Sequence, residues 1–186
     1  MPAFPELVEP LSDGSVTVRF ATERDIPEVL IAYQDDPDLH RRMAEERPPS
    51  GAELGRRAER AEAERVAGRG VTMTIVDPGG DTCRGQLYVH QVDWDNLVAE
   101  LGIWVSPQRR GRGMARGALA LTGAWLLQDG GLERVHVLTE PDNEPMMRAA
   151  RAAGFSYEGV LRGYVRERSG RIDAAVLSLV RRDLGS

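Results

Sequence analysis

Four arginines and two glycines fall within eight residues, in the run Gln108-Arg109-Arg110-Gly111-Arg112-Gly113-Met114-Ala115-Arg116. Those residue types at that spacing hold anions. Glycines at 111 and 113 let the backbone turn tightly and present bare N–H groups, and the arginines add positive charge. The flanks set the geometry. Leu97 to Val105 reads as a buried strand, and Ser106-Pro107 as a turn where Pro107 forbids further ladder pairing. A helix is predicted over 113–128, whose N-terminal amides and dipole favour negative charge. Strand, glycine loop and helix N-terminus together make a phosphate cradle, and a pyrophosphate is the anion expected there.

Three known phosphate loops compete for this stretch. The Walker loop requires a lysine after its last glycine, and all 24 basic residues of the chain are arginine. The dinucleotide fingerprint requires Gly-x-Gly-x-x-Gly, whereas Gly111, Gly113 and Gly117 give Gly-x-Gly-x-x-x-Gly; Glu133 precedes its strand and cannot serve as the ribose acid. The third pattern, [Gln/Arg]-x-x-Gly-x-[Gly/Ala], is met at every fixed position by Gln108 to Gly113. Here the chain resembles the GCN5-related N-acetyltransferase (GNAT) superfamily, whose loop holds the pyrophosphate of acetyl-coenzyme A.

The rest of the chain supplies the elements that must position this loop. Residues 1–14 are proline-rich and aperiodic and are expected to form a loose arm, with one domain over 15–186. Residues 15–21 alternate as a first strand. Thr22 and Asp25 mark the start of a helix that buries Ile26, Val29, Leu30 and Tyr33, and His40 to Arg47 add a turn. Ser50 and Glu53 form a capping box for a second helix to about Ala67. That helix is mostly charged and reads as a solvated surface, although the resemblance places this region on the wall of the acceptor cleft, where Glu59, Glu62 and Glu64 would face a cationic substrate. Strands at 71–76, 84–92 and 97–105 form an antiparallel meander around turns at 77–81 and 94–96. The helix 113–128 stops at Asp129-Gly130-Gly131 and leads to a parallel strand at 135–139, a βαβ crossover. His136, in mid-strand, reads as a core histidine or one supporting the site from behind. A short helix capped by Asn143 ends at Gly154-Phe155, and a hairpin of 160–168 and 171–180 closes the chain.

Composition narrows the function. The net charge of −5 argues against direct nucleic-acid binding. No apolar run approaches the roughly eighteen residues of a membrane span, and the N-terminus lacks a secretory signal's basic and apolar regions. A single cysteine, Cys83, excludes an internal disulfide and suits a reducing cytoplasm; it reads as a half-buried thiol. Three scattered histidines show no metal-ligand spacing.

The resemblance extends to a second motif, Asn143 followed by Gly154-Phe155, and covers residues 15 to 183. Gly163, Tyr164 and Asp173 in the last hairpin resemble the RimJ/RimL-like branch, which acetylates ribosomal-protein N-termini. The fold this implies is α+β: a mixed, mostly antiparallel sheet of about seven strands, splayed between the fourth and fifth and flanked by helices. It further implies an acetyl-CoA site in which Gln108, Arg109, Arg110, Gly111, Arg112, Gly113, Met114 and Ala115 hold the pyrophosphate. Ile103, Trp104 and Val105 would pair with the pantetheine arm, and Asn143 and Met146 would flank it. Gly102 is where a bulge would produce the splay. Attack by an amine requires a base, and Glu100 stands on the same strand where related enzymes often carry a glutamate. The usual general acids are absent: Ala150 replaces a tyrosine and Met146 a serine. Tyr164, and after it Tyr157, are the substitutes. An N-acetyltransferase acting on a primary amine is the expectation, the alternative being a non-catalytic coenzyme A-binding module. The final hairpin also offers strands for a homodimer.

Overall fold

The computed structural model describes residues 3–167 and 170–185; Arg168 and Ser169, at the expected hairpin tip, lie outside the described residues. One eight-stranded sheet, in the order β1-β2-β3-β4-β5-β6-β8-β7, forms the centre. Its strands are β1 (Leu11–Ser12), β2 (Thr17–Phe20), β3 (Val71–Val76), β4 (Gly85–Asp93), β5 (Val98–Val105), β6 (Arg134–Thr139), β7 (Ser156–Glu167) and β8 (Gly170–Val180). The helices are α1 (Ile26–Asp35), α2 (Leu39–Arg42), α3 (Gly51–Val66), α4 (Met114–Gln128) and α5 (Glu144–Ala152). All strand pairs are antiparallel except β5–β6.

Alternation along the strands divides the side chains between two faces. Leu87, Val89, Leu101, Val135, Val137 and Leu177 are buried in one cluster with Leu119, Trp125 and Leu126 of α4 and Met147 and Ala150 of α5. The opposite face carries Trp104 and Tyr88, packed with Val29 and Tyr33 of α1, Leu39 of α2 and Leu54 of α3. Cys83 belongs to this second cluster, where burial pushes its thiol up to about 12 and leaves it inert.

The N-terminal arm is not loose. Phe4 is buried against Trp94 and Trp125, its carbonyl accepts from the Arg65 guanidinium of α3 at 2.7 Å, and Leu11–Ser12 adds a strand to the sheet. An apolar ring and two backbone anchors override the proline-rich composition. The sheet therefore has eight strands rather than seven.

The split lies between β5 and β6, at the expected place once the extra strand is counted. Pairing runs through Val98, Ala99 and Glu100 and stops at the partners Glu100 and His136. Beyond that point β5 stays with β4 to Val105, while β6 follows β8 to Thr139. No bulge at Gly102 produces it; Gly102 pairs regularly with Tyr88, and the irregularity lies on β4 between His90 and Asp93, beside the left-handed Gln91. A Cβ at Gly102 would make only ordinary contacts, with His90 Nε2 at 3.4 Å and Met43 Cε at 3.5 Å.

The sheet's other half is fastened by a buried ion pair. Asp25 accepts from Arg19 at 2.8 Å, from the Thr74 hydroxyl at 2.7 Å and from the Thr22 amide at 2.9 Å. Burial alone would push its carboxyl up, but these donors outweigh it and hold it below the usual range. The stability it contributes is present above the unfolded carboxylate value and is lost as pH falls through the depressed folded one. Asp25→Asn is therefore expected to cost about 2–3 kcal/mol at neutral pH. In denaturant titrations the gap to wild type should close below about pH 4; a gap constant down to pH 3 would contradict the ion-pair account.

Candidate active site

The loop begins where β5 ends. The Ser106 amide donates to the Arg84 carbonyl, Pro107–Arg109 form one 3-10 turn, and the chain then swings through Gly111 and Gly113 at φ +74° and +79° into α4. Those φ values lie in the left-handed region that L side chains disfavour. A Cβ built on either glycine meets nothing within 4 Å, so their exposed face is open. The amides of Gly111, Arg112 and Gly113 find no backbone acceptor among the described residues, and they adjoin the unpaired first amides of α4. Gly117 matters for packing instead. A Cβ there would strike Val16 Cγ1 at 2.3 Å, so the glycine seats α4 against the chain entering β2.

The side chains of the motif are more tied than the sequence implies. Gln108 Nε2 donates to Asp35 at 2.7 Å, and Arg109 pairs with Asp77 at 3.1 Å. Arg110 donates through Nε to the Val105 carbonyl and pairs with Asp36, which Arg42 shares. Burial raises the Asp36 carboxyl, but the two guanidinium groups prevail and hold it low. Arg112 and Arg116 carry no ion pair among the described residues, so the cradle consists of backbone amides with these two cations beside it. Asp36→Asn would release Arg110 to meet a phosphate. The expected result is roughly 3- to 10-fold tighter coenzyme binding by fluorescence titration, on the order of 1 kcal/mol; weaker binding would show that the pair shapes the loop instead.

Along the split, Ile103, Trp104 and Val105 line the β5 side, and their β6-facing backbone groups lack a strand partner. Across it, Asn143 caps α5: its Oδ1 accepts from the Met146 amide at 3.3 Å and its Nδ2 donates to Thr139 Oγ1 at 3.0 Å. Met146 packs partly buried beside the core, and Ala150 is wholly buried.

Glu100 stands where the two strands part. It is the middle of a row across three strands, His90 on β4, Glu100 on β5 and His136 on β6. Its Oε1 lies 3.8 Å from His90 Nε2 and its Oε2 3.8 Å from His136 Nε2. Burial raises the Glu100 carboxyl above the usual glutamate value and lowers both imidazoles. A carboxylate made more basic beside neutral imidazoles suits a proton acceptor.

Sequence reasoning does not find His90; of the two readings offered for His136, a hydrogen-bonded core residue or one supporting the site, its buried Nδ1 without a partner among the described residues argues against the first. The only signal for the row is the strand register, which depends on the β4 bulge.

Tyr164 and Tyr157 do not join this row. Both lie on β7, three strand spacings or about 14 Å from β5. Tyr164 is 55% exposed, and Tyr157 stacks with Arg151. Glu62 and Glu64 do not face the split either: they pair with Arg65 and Arg69, and α3 packs on α1 and β3. Arg41 of α2 pairs with Glu140, just past the end of β6, and with Glu167 of β7, at 2.5 and 3.3 Å.

A family profile described as an acetyltransferase (GNAT) domain matches residues 15–156. The chain belongs to the GNAT family. An uncharacterized N-acetyltransferase, p20 of Bacillus licheniformis, is 25% identical over 118 residues, 63% of this chain and 66% of that protein, just under two thirds of its length. In architecture this GNAT chain is similar to Mycobacterium smegmatis RimJ, solved with a CoA-disulfide, at a TM-score of 0.77 and 22% identity over 96% of this chain and 88% of that one. A ribosomal-protein-S5-alanine acetyltransferase from Vibrio fischeri gives a TM-score of 0.76 and 18% identity over 93% and 97%. These likenesses establish the GNAT fold. Among the described residues no group of three or more His, Cys, Asp or Glu could hold a metal ion, and no helix is long and apolar enough to cross a membrane.

Proposed function

We propose that this GNAT domain, residues 15–186, transfers an acetyl group from acetyl-CoA to a primary amine by direct attack on the thioester, with Glu100 as the base. The observation that carries this reading is the coincidence of three features on one strand. β5 ends in an open amide cradle, lines the split with unpaired backbone, and places a half-buried carboxylate where the split begins. Unpaired amides with Arg112 and Arg116 beside them suit an anion, and a pyrophosphate is the anion this reading takes. Backbone amides of 103–105 turned into the split would stabilise a developing oxyanion. Glu100 removes a proton from the ammonium form of the acceptor, and the freed nitrogen attacks the thioester carbon. The thiolate is a tolerable leaving group, so water can protonate it in place of the missing acid.

A protein N-terminus in the cytoplasm is the favoured acceptor, supported by the fold's likeness to RimJ and to the S5-alanine enzyme. The second reading, a coenzyme A-binding module without turnover, draws on the buried Ala150 and the distance of Tyr164. A thiol-release assay decides between them, run with acetyl-CoA and a panel of ribosomal-protein N-terminal peptides, polyamines and aminoglycosides. Enzyme-dependent thiol release with an amine favours the transferase; coenzyme binding without release for any amine favours the module.

A further inference from the structure

Acetylation of an ammonium removes two protons from one nitrogen, and a single carboxylate can hold only one at a time. As the N–C bond forms and the C–S bond breaks, one proton is taken up with the electron pair left on sulfur. The other must reach solvent before Glu100 can act again. Glu100 itself is poorly placed to deliver it, with its side chain only 20% exposed.

The row described above supplies the path. We infer that His90 carries the acceptor's proton from Glu100 to solvent, while His136 positions the carboxylate. This rests on Glu100 being the base. Each imidazole addresses a different carboxylate oxygen, so the two can act at once. The 3.8 Å separations close to hydrogen bonds with small side-chain rotations. The two histidines differ in surroundings, and that divides the roles. The His90 side chain is 43% exposed and that of His136 is 19% exposed. His136 Nδ1 is buried without a partner among the described residues, and an unsatisfied buried N–H is costly. The proton of neutral His136 therefore sits on Nε2, aimed at Glu100 Oε2, and fixes the carboxylate. Neutral His90 accepts at Nε2 the proton held on Oε1, and its exposed ring passes it to water.

The charged groups around the row are few. Arg134 and Glu158, paired with each other, act on His136 from β6 and β7, and Met43 presents only a thioether near His90.

The test compares His90→Ala, His136→Gln and Glu100→Gln with wild type for kcat, amine KM, coenzyme Kd and the pH profile. His90→Ala is expected to lower kcat roughly tenfold with Kd unchanged. The acid limb of its kcat profile should carry one ionisation where wild type carries two, because protonated His90 cannot accept. Added imidazole should restore turnover, since the vacated site opens to solvent. His136→Gln, which retains a donor toward Glu100, should keep most of kcat, whereas His136→Ala should not. Wild-type kcat and pH profile in His90→Ala, or a loss that imidazole leaves unchanged, would overturn the relay. If Glu100→Gln abolishes turnover while the His90 variant behaves as wild type, the relay alone fails; if Glu100→Gln turns over normally, the base assignment fails first.

Discussion

Glu100→Gln should lower kcat by roughly 10²–10⁴-fold and leave acetyl-CoA affinity within about twofold. The amide is nearly isosteric and keeps a polar group at the parting of β5 and β6, so the split and the cradle at the far end of β5 stay in place. What it loses is the capacity to accept a proton. Burial, with no ion pair shorter than 3.8 Å to offset it, raises the carboxyl. The acid limb of wild-type kcat should accordingly lie above the ordinary glutamate value of about 4.3, with activity rising as Glu100 deprotonates. Steady-state kinetics at saturating coenzyme, with a coenzyme titration beside it, reads both quantities. An unchanged kcat would remove Glu100 from the chemistry, and a lost affinity with unchanged kcat would make it a structural residue of the split.

Gly113→Val should abolish measurable coenzyme binding, a loss on the order of 10²-fold or more. Gly113 is the N-cap of α4 at φ +79°, where a β-branched residue is strained by about 1–3 kcal/mol and relaxes only by turning the backbone. That rotation moves the amides of 111–115 together, so several donors are misaimed by one substitution. The structural cost is confined to the helix start, and the fold should survive with a modestly lower Tm. Gly55→Ala is the matched control: a Cβ there meets nothing within 4 Å and the residue sits inside α3, so binding should be unaffected. Wild-type affinity in Gly113→Val would mean that the arginine side chains, not the amides, hold the anion.

The parts of this molecule legible in the sequence are those written in local chemistry. The capping box at Ser50 and Glu53, the glycine loop and the helix stop at Gly131 each follow from residues within a few positions, and the structure shows them where expected. The split was legible only through the family likeness. What escaped depends on contacts distant in sequence. Phe4 finds its pocket between Trp94 and Trp125, a matter of side-chain shape that proline content cannot report. His90 faces Glu100 because a bulge past His90 and a left-handed Leu97 set the β4–β5 register, and a shift of one residue would turn it to the other face. The pairing of Gln108, Arg109 and Arg110 with Asp35, Asp77 and Asp36 likewise joins residues far apart in the chain, and it ties up side chains that the motif alone leaves free.

The most direct test of the acetyl-CoA site is a calorimetric titration of the wild-type protein with acetyl-CoA, repeated with Gly111→Asp. Micromolar binding at one site per chain is expected, lost when a side chain and a negative charge are placed at φ +74° in the open cradle. Absence of heat with the wild type, or equal affinity in the variant, would contradict it.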